Sequence, residues 1–185
     1  RGGPFFLSCC LQLKLTTFTY ITKISGMIQS EQLIHSFYTA FLARDYTTMQ
    51  NCYTNDATFS DPVFQNLNAA EVKGMWEMFC KRSKDMHLTY SIRFADENHV
   101  EAIWIPDYTF SATGRHVTNH IKSRFTIKDN KIIRHHDHFS FYKWSSQALG
   151  LPGILFGWTP LIKNKIRKSA NINLQKFMAT NELAN

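Results

Sequence analysis

Before the middle of the chain, apolar residues recur three times at helical spacing. In "SEQLIHSFYTAFLARD", Ser30 to Asp45, the residues Leu33, Ile34, Phe37, Phe41 and Leu42 trace one stripe behind Ser30, a favourable N-cap type, and predict an amphipathic helix. "YTTMQNCY" predicts a short second helix. "AAEVKGMWEMFCKRS" predicts a third through Val72, Met75, Trp76 and Phe79, with Gly74 costing helix propensity. Between the last two, "NDATFSDPVF" reads as a strand that ends at Asp61, because Pro62 has no N–H to offer a ladder.

The period then changes from 3.6 to 2. "MHLTYSIRFA", "HVEAIWIPDYTFSA", "HVTNHIKSRFTI" and "KIIRHHDHFSFYKW" predict four strands joined by "DEN", "TGR" and "KDN", connections too short for anything but antiparallel hairpins. Alternation assigns their faces. Val100, Ala102, Trp104, Pro106, Tyr108 and Phe110 share one side of the second strand. Val117, Asn119, Ile121, Ser123, Phe125 and Ile127 share one side of the third, and Ile133, His135, Asp137, Phe139 and Phe141 one side of the fourth.

Downstream, "GLPGILFGWTPLIKNKIRKSANINLQKFMAT" predicts a helix opening at Pro160 with Thr159 as its cap. Leu161, Ile162, Ile166, Leu174, Phe177 and Met178 fall on its mostly apolar face. The expectation is a tail over 146–185 that packs on the domain, closing a pocket or extending a homodimer, in preference to membrane contact.

With 185 residues, 44% of them hydrophobic and 14% aromatic, the chain can bury one sizeable core, expected over 27–145. The first 26 residues contain no acid and read as a leader or non-native extension. Their interrupted apolar run suits neither a secretory signal nor a bilayer span, so a cytoplasmic protein is expected over a secreted one. Three of the charges behind the net +7 lie in that segment, and no basic block or zinc-finger spacing accompanies the rest, which argues against nucleic-acid binding. Cys52 and Cys80 lack metal-ligand spacing and read as small buried hydrophobes.

The candidate chemistry lies in the fourth strand. His136 and His138 point away from Asp137 and His135, and a zinc site would have to add His120 on that outer side without a Cys or carboxylate to complete it, so no metal is expected. Asp137 sits among apolar neighbours, where an ionised carboxylate is costly unless donors or a wet cavity serve it. It is either a satisfied core group, accepting from Asn, Tyr or Ser123, or the floor of a pocket. In the pocket reading Asp137 moves a proton, Asn119, Tyr108 or His135 orients it or polarises a carbonyl, and Asp61 is a second acid, unless Asp61 only caps its Asp-Pro turn. Trp104, Phe110, Ile121, Phe125, Phe139 and Trp76 would line such a pocket.

Helix-first order, "ATFSDPVF", "YTFSATGR", "NHIKSRFTIKDNKIIRHHDHFSFYKW" and "SSQALGLPGILFGWTPLIKNKIRKSA" together resemble the nuclear transport factor 2-like superfamily and, within it, the SnoaL-like proteins. The resemblance runs from about Ile28 to Ala179. It implies an α+β fold, a cone-shaped barrel of curved antiparallel sheet wrapped around N-terminal helices, with a pocket between sheet and helices. Relatives include isomerases, polyketide cyclases, dehydratases and epoxide hydrolases, and some members only bind partners, so fold alone does not choose the function. The cyclases' late-strand aspartate transfers to Asp137. The tyrosine and second acid of the isomerases have no identified match, and no Arg lies on the inferred inner face to serve an epoxide hydrolase relay. The expectation is a cofactor-free acid/base enzyme taking an apolar, oxygen-bearing small molecule, with a non-catalytic ligand-binding or dimerisation module as the alternative.

Overall fold

The computed structural model describes residues 29–82 and 85–182. The expected leader over 1–26 lies outside the described residues. Helix α1 occupies 29–42, followed by α2 (Tyr46–Asn51), β1 (Tyr53–Ser60) and α3 (Ala69–Arg82). Five strands come next: β2 (His87–Ala95), β3 (His99–Phe110), β4 (Arg115–Thr118), β5 (Ile121–Lys128) and β6 (Lys131–His138). The chain ends in α4 (Phe141–Leu149), α5 (Leu151–Phe156) and α6 (Pro160–Glu182).

Local chemistry explains the element ends. Asp45 caps α2, its Oδ1 accepting from Thr48 N at 3.0 Å. Asn68 and Glu71 form a reciprocal capping box at α3, each side chain accepting the other's backbone N–H. The two-residue turn from β5 to β6 places Asp129 and Asn130 at φ 50 and 55, the left-handed conformation that a tight hairpin demands and that Asn and Asp tolerate. Thr159 caps α6 as expected, its hydroxyl accepting from Ile162 N.

The sheet runs β1-β6-β5-β3-β2, with β4 also on β3. The predicted consecutive hairpins are present as antiparallel pairs, and β1 adds to β6 in parallel. This curved sheet is open, with β1 and β2 as its edges, so the expected barrel does not close. The third predicted strand is divided into β4 and β5 at Asn119, yet the register passes through the break: Tyr108 pairs with Val117 and Trp104 with Ile121. Asn119 N donates to Pro106 O, and Pro106 has no N–H to return the bond, so the ladder lapses there.

Four expectations about single elements need correction. Ser30 lies within α1, where its hydroxyl donates to Asp96 O at 2.6 Å, and so it is not the N-cap. The buried stripe of α1 is Ile34, Phe37, Tyr38 and Phe41, while Leu42 is exposed. In β6 the register shifts opposite Thr126 and Ile127, a bulge that puts Ile132 in the core in place of Ile133 and restores His135 and Asp137 to the inner face. That strand also stops at His138, since Ser140 caps α4 and takes Phe141 and Tyr142 into a helix.

The core fills the concave side of the sheet. Phe37, Phe41, Trp76 and Trp104 meet edge to face at centroid distances of 5.2–6.5 Å, the arrangement aromatic quadrupoles favour. Cys52 and Cys80 are buried free thiols. The close approach of α6 explains Gly74: a Cβ there would lie 2.8 Å from Met178 Cγ. Leu174 is buried, Arg167 Nε donates to Pro62 O and Gln175 bonds Glu71. Among the described residues no helix is long and apolar enough to cross a membrane.

Candidate functional site

Asp137 ends a hydrogen-bonded chain that crosses the core. Tyr38 O–H donates to Ser123 Oγ at 3.1 Å, and Ser123 donates to Asp137 Oδ1. From the other side, Trp76 Nε1–H donates to Tyr53 Oη at 2.9 Å, Tyr53 Oη lies 2.7 Å from His135 Nδ1, and His135 Nε2 lies 2.9 Å from Asp137 Oδ1. Indole N–H can only donate, so Tyr53 Oη accepts from Trp76 and keeps its own O–H to donate to Nδ1, the arrangement in which the imidazole N–H is on Nε2 and faces Asp137. With that tautomer, every donor in both arms points toward Asp137. Burial holds the phenols of Tyr38 and Tyr53 well above their usual range.

Both bonds fall on Oδ1. Among the described residues, Asp137 Oδ2 has no hydrogen-bond partner, although the residue is only 2% exposed.

The parallel register Phe59↔His135 and Ser60↔His136 ends one residue before Asp61, which lies near enough to Asp137 for that charge to act on it. Asp61 Oδ1 accepts from Val63 N at 2.6 Å and Phe64 N at 2.5 Å, so the residue does cap its Asp-Pro turn, as one sequence reading expected. Its Oδ2, too, lacks a partner among the described residues. Burial pushes Asp61 up to about 7, opposed by the two turn N–H groups and aided by the Asp137 charge. The two carboxyl groups thus each commit one oxygen to structure and leave the other free.

Further along the inner face, two more polar groups lack partners. Trp104 Nε1 is buried without an acceptor, and the side-chain amide of Asn119, a 7% exposed residue, makes no hydrogen bond among the described residues. Successive same-face positions are about 7 Å apart along a strand, so Asn119, Ile121 and Ser123 carry the row of inner groups toward Asp137. Tyr108 accepts from Trp144 Nε1 at 3.0 Å, which leaves its own proton to donate, and burial, with the Asp61 charge adding, raises its pKa.

The residues proposed from the sequence divide into two groups. Asp61, Asp137, Asn119, Tyr108, Trp104, Ile121 and Phe139 lie on the same inner face or at its end. His135, Phe125 and Trp76 lie beneath Asp137 in the packed core: Phe125 is 4.1 Å from the imidazole centroid, and Trp76 stacks on it at 5.8 Å and 16°. Phe110 is half-buried, edge-on to Trp144 at 5.4 Å. His120, His136 and His138 are exposed on the other side of the sheet. Two surface clefts, of about 590 Å³ along α1 and about 270 Å³ near Asn98 and Asn130, include none of the carboxylate site. Sequence reading missed Tyr38, Tyr53 and Trp144 as partners. Tyr38 was available as the residue four after Ile34 on the buried stripe, whereas nothing local marks Tyr53, 82 residues from His135.

A family model described as the SnoaL-like domain matches residues 34–135, more than half of the sequence. The chain belongs to the SnoaL-like domain family. The matched span covers Asp61, Tyr108, Asn119 and His135 and ends just before Asp137. No curated protein matches this SnoaL-like chain. Among solved structures it is similar to a protein of ketosteroid isomerase-like fold from Catenulispora acidiphila, crystallised with trimethylamine, at 15% identity and a TM-score of 0.56, over 69% of this chain and 97% of that one. It is similar also to an epoxide hydrolase from M. tuberculosis at 15% identity and a TM-score of 0.54, over 70% and 96% of the two chains. A third is TerC, crystallised with polyporic acid, at 17% identity and a TM-score of 0.57, over 66% and 99%. At these identities the likeness is one of fold.

Proposed function

We infer that this SnoaL-like chain is a cofactor-free acid/base enzyme of the isomerase, cyclase, dehydratase or hydrolase kind, acting on an apolar small molecule that carries oxygen. One observation carries the reading: Asp61, directly after the last β1–β6 pair, lies within reach of the Asp137 charge, each has a free Oδ2, and the inner face they end also presents an unpartnered Asn119 amide and Trp104 N–H. A buried polar atom without a partner is rare in folded proteins, and Trp104 Nε1, on the same face as carboxyl and amide groups that make no hydrogen bond through these atoms, is what a bound ligand would satisfy.

Asp137, anchored by Ser123 and His135, is the base that takes a proton from carbon or from water. Asp61, with its pKa pushed up to about 7, still holds a proton near neutrality and returns it to the substrate oxygen. Asn119, Trp104 and Tyr108 donate to oxygen on the substrate, and Ile121 and Phe139 contact its apolar part. Enclosure of Asp137 favours a second reading, a module that holds such a molecule without turnover.

A panel of unsaturated ketones, β-hydroxy ketones and epoxides, with product formation followed by mass spectrometry, tests this function. Turnover lost in Asp137→Asn, with ligand binding retained, is the expected result. Binding without turnover, unchanged by Asp137→Asn, would replace it with the second reading.

A further inference from the structure

The face that α5 and the start of α6 turn outward carries no part of the carboxylate site. Leu151, Ile154, Leu155 and Trp158 follow one another at i, i+3, i+4 and i+7, and are 72%, 47%, 58% and 72% exposed. Phe156 and Leu161 extend the patch at 54% and 77%. All six side chains stand exposed on the surface.

Their orientation is enforced from the other side of the same turn. Gly153 and Gly157 press α5 against α4 so closely that a Cβ on Gly153 would collide with Ser145 O, and one on Gly157 with Ser145 Oγ. No rotation of α5 could bury the leucines in place of the glycines. Trp158 is fixed at the tip by an Nε1–H···O bond to Leu155 at 3.1 Å.

Charge identifies what the patch meets. From Phe141 to Thr180 the chain has Lys143, Lys163, Lys165, Arg167, Lys168 and Lys176 and not one acid. Along α6 an exposed stripe of Leu161, Lys165, Lys168 and Ile172 continues the apolar tip into a basic face. A second copy of this chain would bring like charges together around the patch. An anionic lipid surface satisfies both halves, taking Leu, Phe and Trp into the acyl boundary and the ammonium groups onto the headgroups. We propose that α5 and the first half of α6 form a peripheral docking face for membranes rich in anionic lipid.

Co-sedimentation of the full chain with phosphatidylcholine vesicles, with and without phosphatidylserine, tests the proposal. Binding is expected only with phosphatidylserine and is expected to weaken as salt is raised. Lys165→Gln with Lys168→Gln should weaken it roughly twenty-five-fold, since each cation near such a surface contributes about a factor of five. Leu155→Ser with Trp158→Ser should abolish it while leaving the melting temperature unchanged, because both side chains are exposed. Absence of binding at low salt, equal binding to both vesicles, or binding indifferent to the Leu155 and Trp158 changes would overturn the proposal. So would a dimer in sedimentation equilibrium that those two changes dissociate, which would make the patch a contact between copies.

Discussion

His135 and Asp137 meet at 2.9 Å, from Nε2 to Oδ1, with both residues only 2% exposed. The contact joins residues two apart on one strand, so it is set by the strand itself, while Tyr53 fixes the imidazole from behind. His135→Phe preserves the ring and its packing among Phe125, Phe59 and Trp76 but deprives Tyr53 O–H of its acceptor and Asp137 of a donor. The Tyr53 O–H is then an unpaired buried donor, while Asp137 keeps Ser123, so the loss is about 2 kcal/mol. Urea unfolding should show that loss; a change under about 0.5 kcal/mol would mean that the two bonds add nothing to stability.

Asp61 gives stability a pH dependence of defined sign. Its carboxyl holds a proton up to about pH 7 in the folded protein against an ordinary value of 3.8, so between those limits the native state binds more protons than the unfolded one. Its contribution is therefore full below about pH 4 and is lost as pH rises through about 7. The group lies at a half-buried rim, which discounts the effect to the order of 2 kcal/mol. Asp61→Asn should remove that fall, measured as the difference in unfolding free energy between the two proteins across the window. Parallel curves would place the Asp61 pKa in the ordinary carboxylate range.

The alternation of β3, β5 and β6 was readable because a half-buried strand repeats every two residues, and it placed Asn119, Trp104 and Asp137 on one face without any knowledge of their partners. The bulge beside Ile132 was not readable, since an extra residue has meaning only against the strand it pairs with. The same limit hid the neighbouring carboxylates. Asp61 is brought near Asp137 by the parallel β1·β6 pairing that ends at Ser60, and a parallel pair between the first and last strands leaves no hairpin signature in the sequence. Gly74, which looked like a flaw in a helix, is the residue that lets Met178 approach.

Gly153 should be intolerant of even one methyl group. The atom in the way is a backbone carbonyl, Ser145 O, which cannot rotate aside as a flexible side chain would. Gly153→Ala would ordinarily gain about 1 kcal/mol of helix propensity. Here it should instead cost about 2 kcal/mol as α5 is displaced from α4, the penalty typical of overpacking. Thermal unfolding of the variant checks this, with Leu155→Ala on the exposed side of α5 as the control that should stay within about 0.5 kcal/mol.

Trp104 separates stability from ligand recognition. Its indole is buried against Tyr38, Phe41 and Trp76, but Nε1 has no acceptor, so the native state already bears the desolvation cost of one donor, about 1–3 kcal/mol. Trp104→Phe removes that donor along with part of the ring, and the relief offsets the lost packing, so the change in stability should stay within about 1 kcal/mol. If the N–H serves a substrate oxygen, the same variant should bind that molecule about ten-fold more weakly, the worth of one neutral hydrogen bond in a dry site. Titration calorimetry with a molecule identified from the turnover panel, run beside urea unfolding, reads both quantities. A variant that binds as well as the parent would remove Trp104 from the site, and one destabilised by 3 kcal/mol or more would show its role to be packing alone.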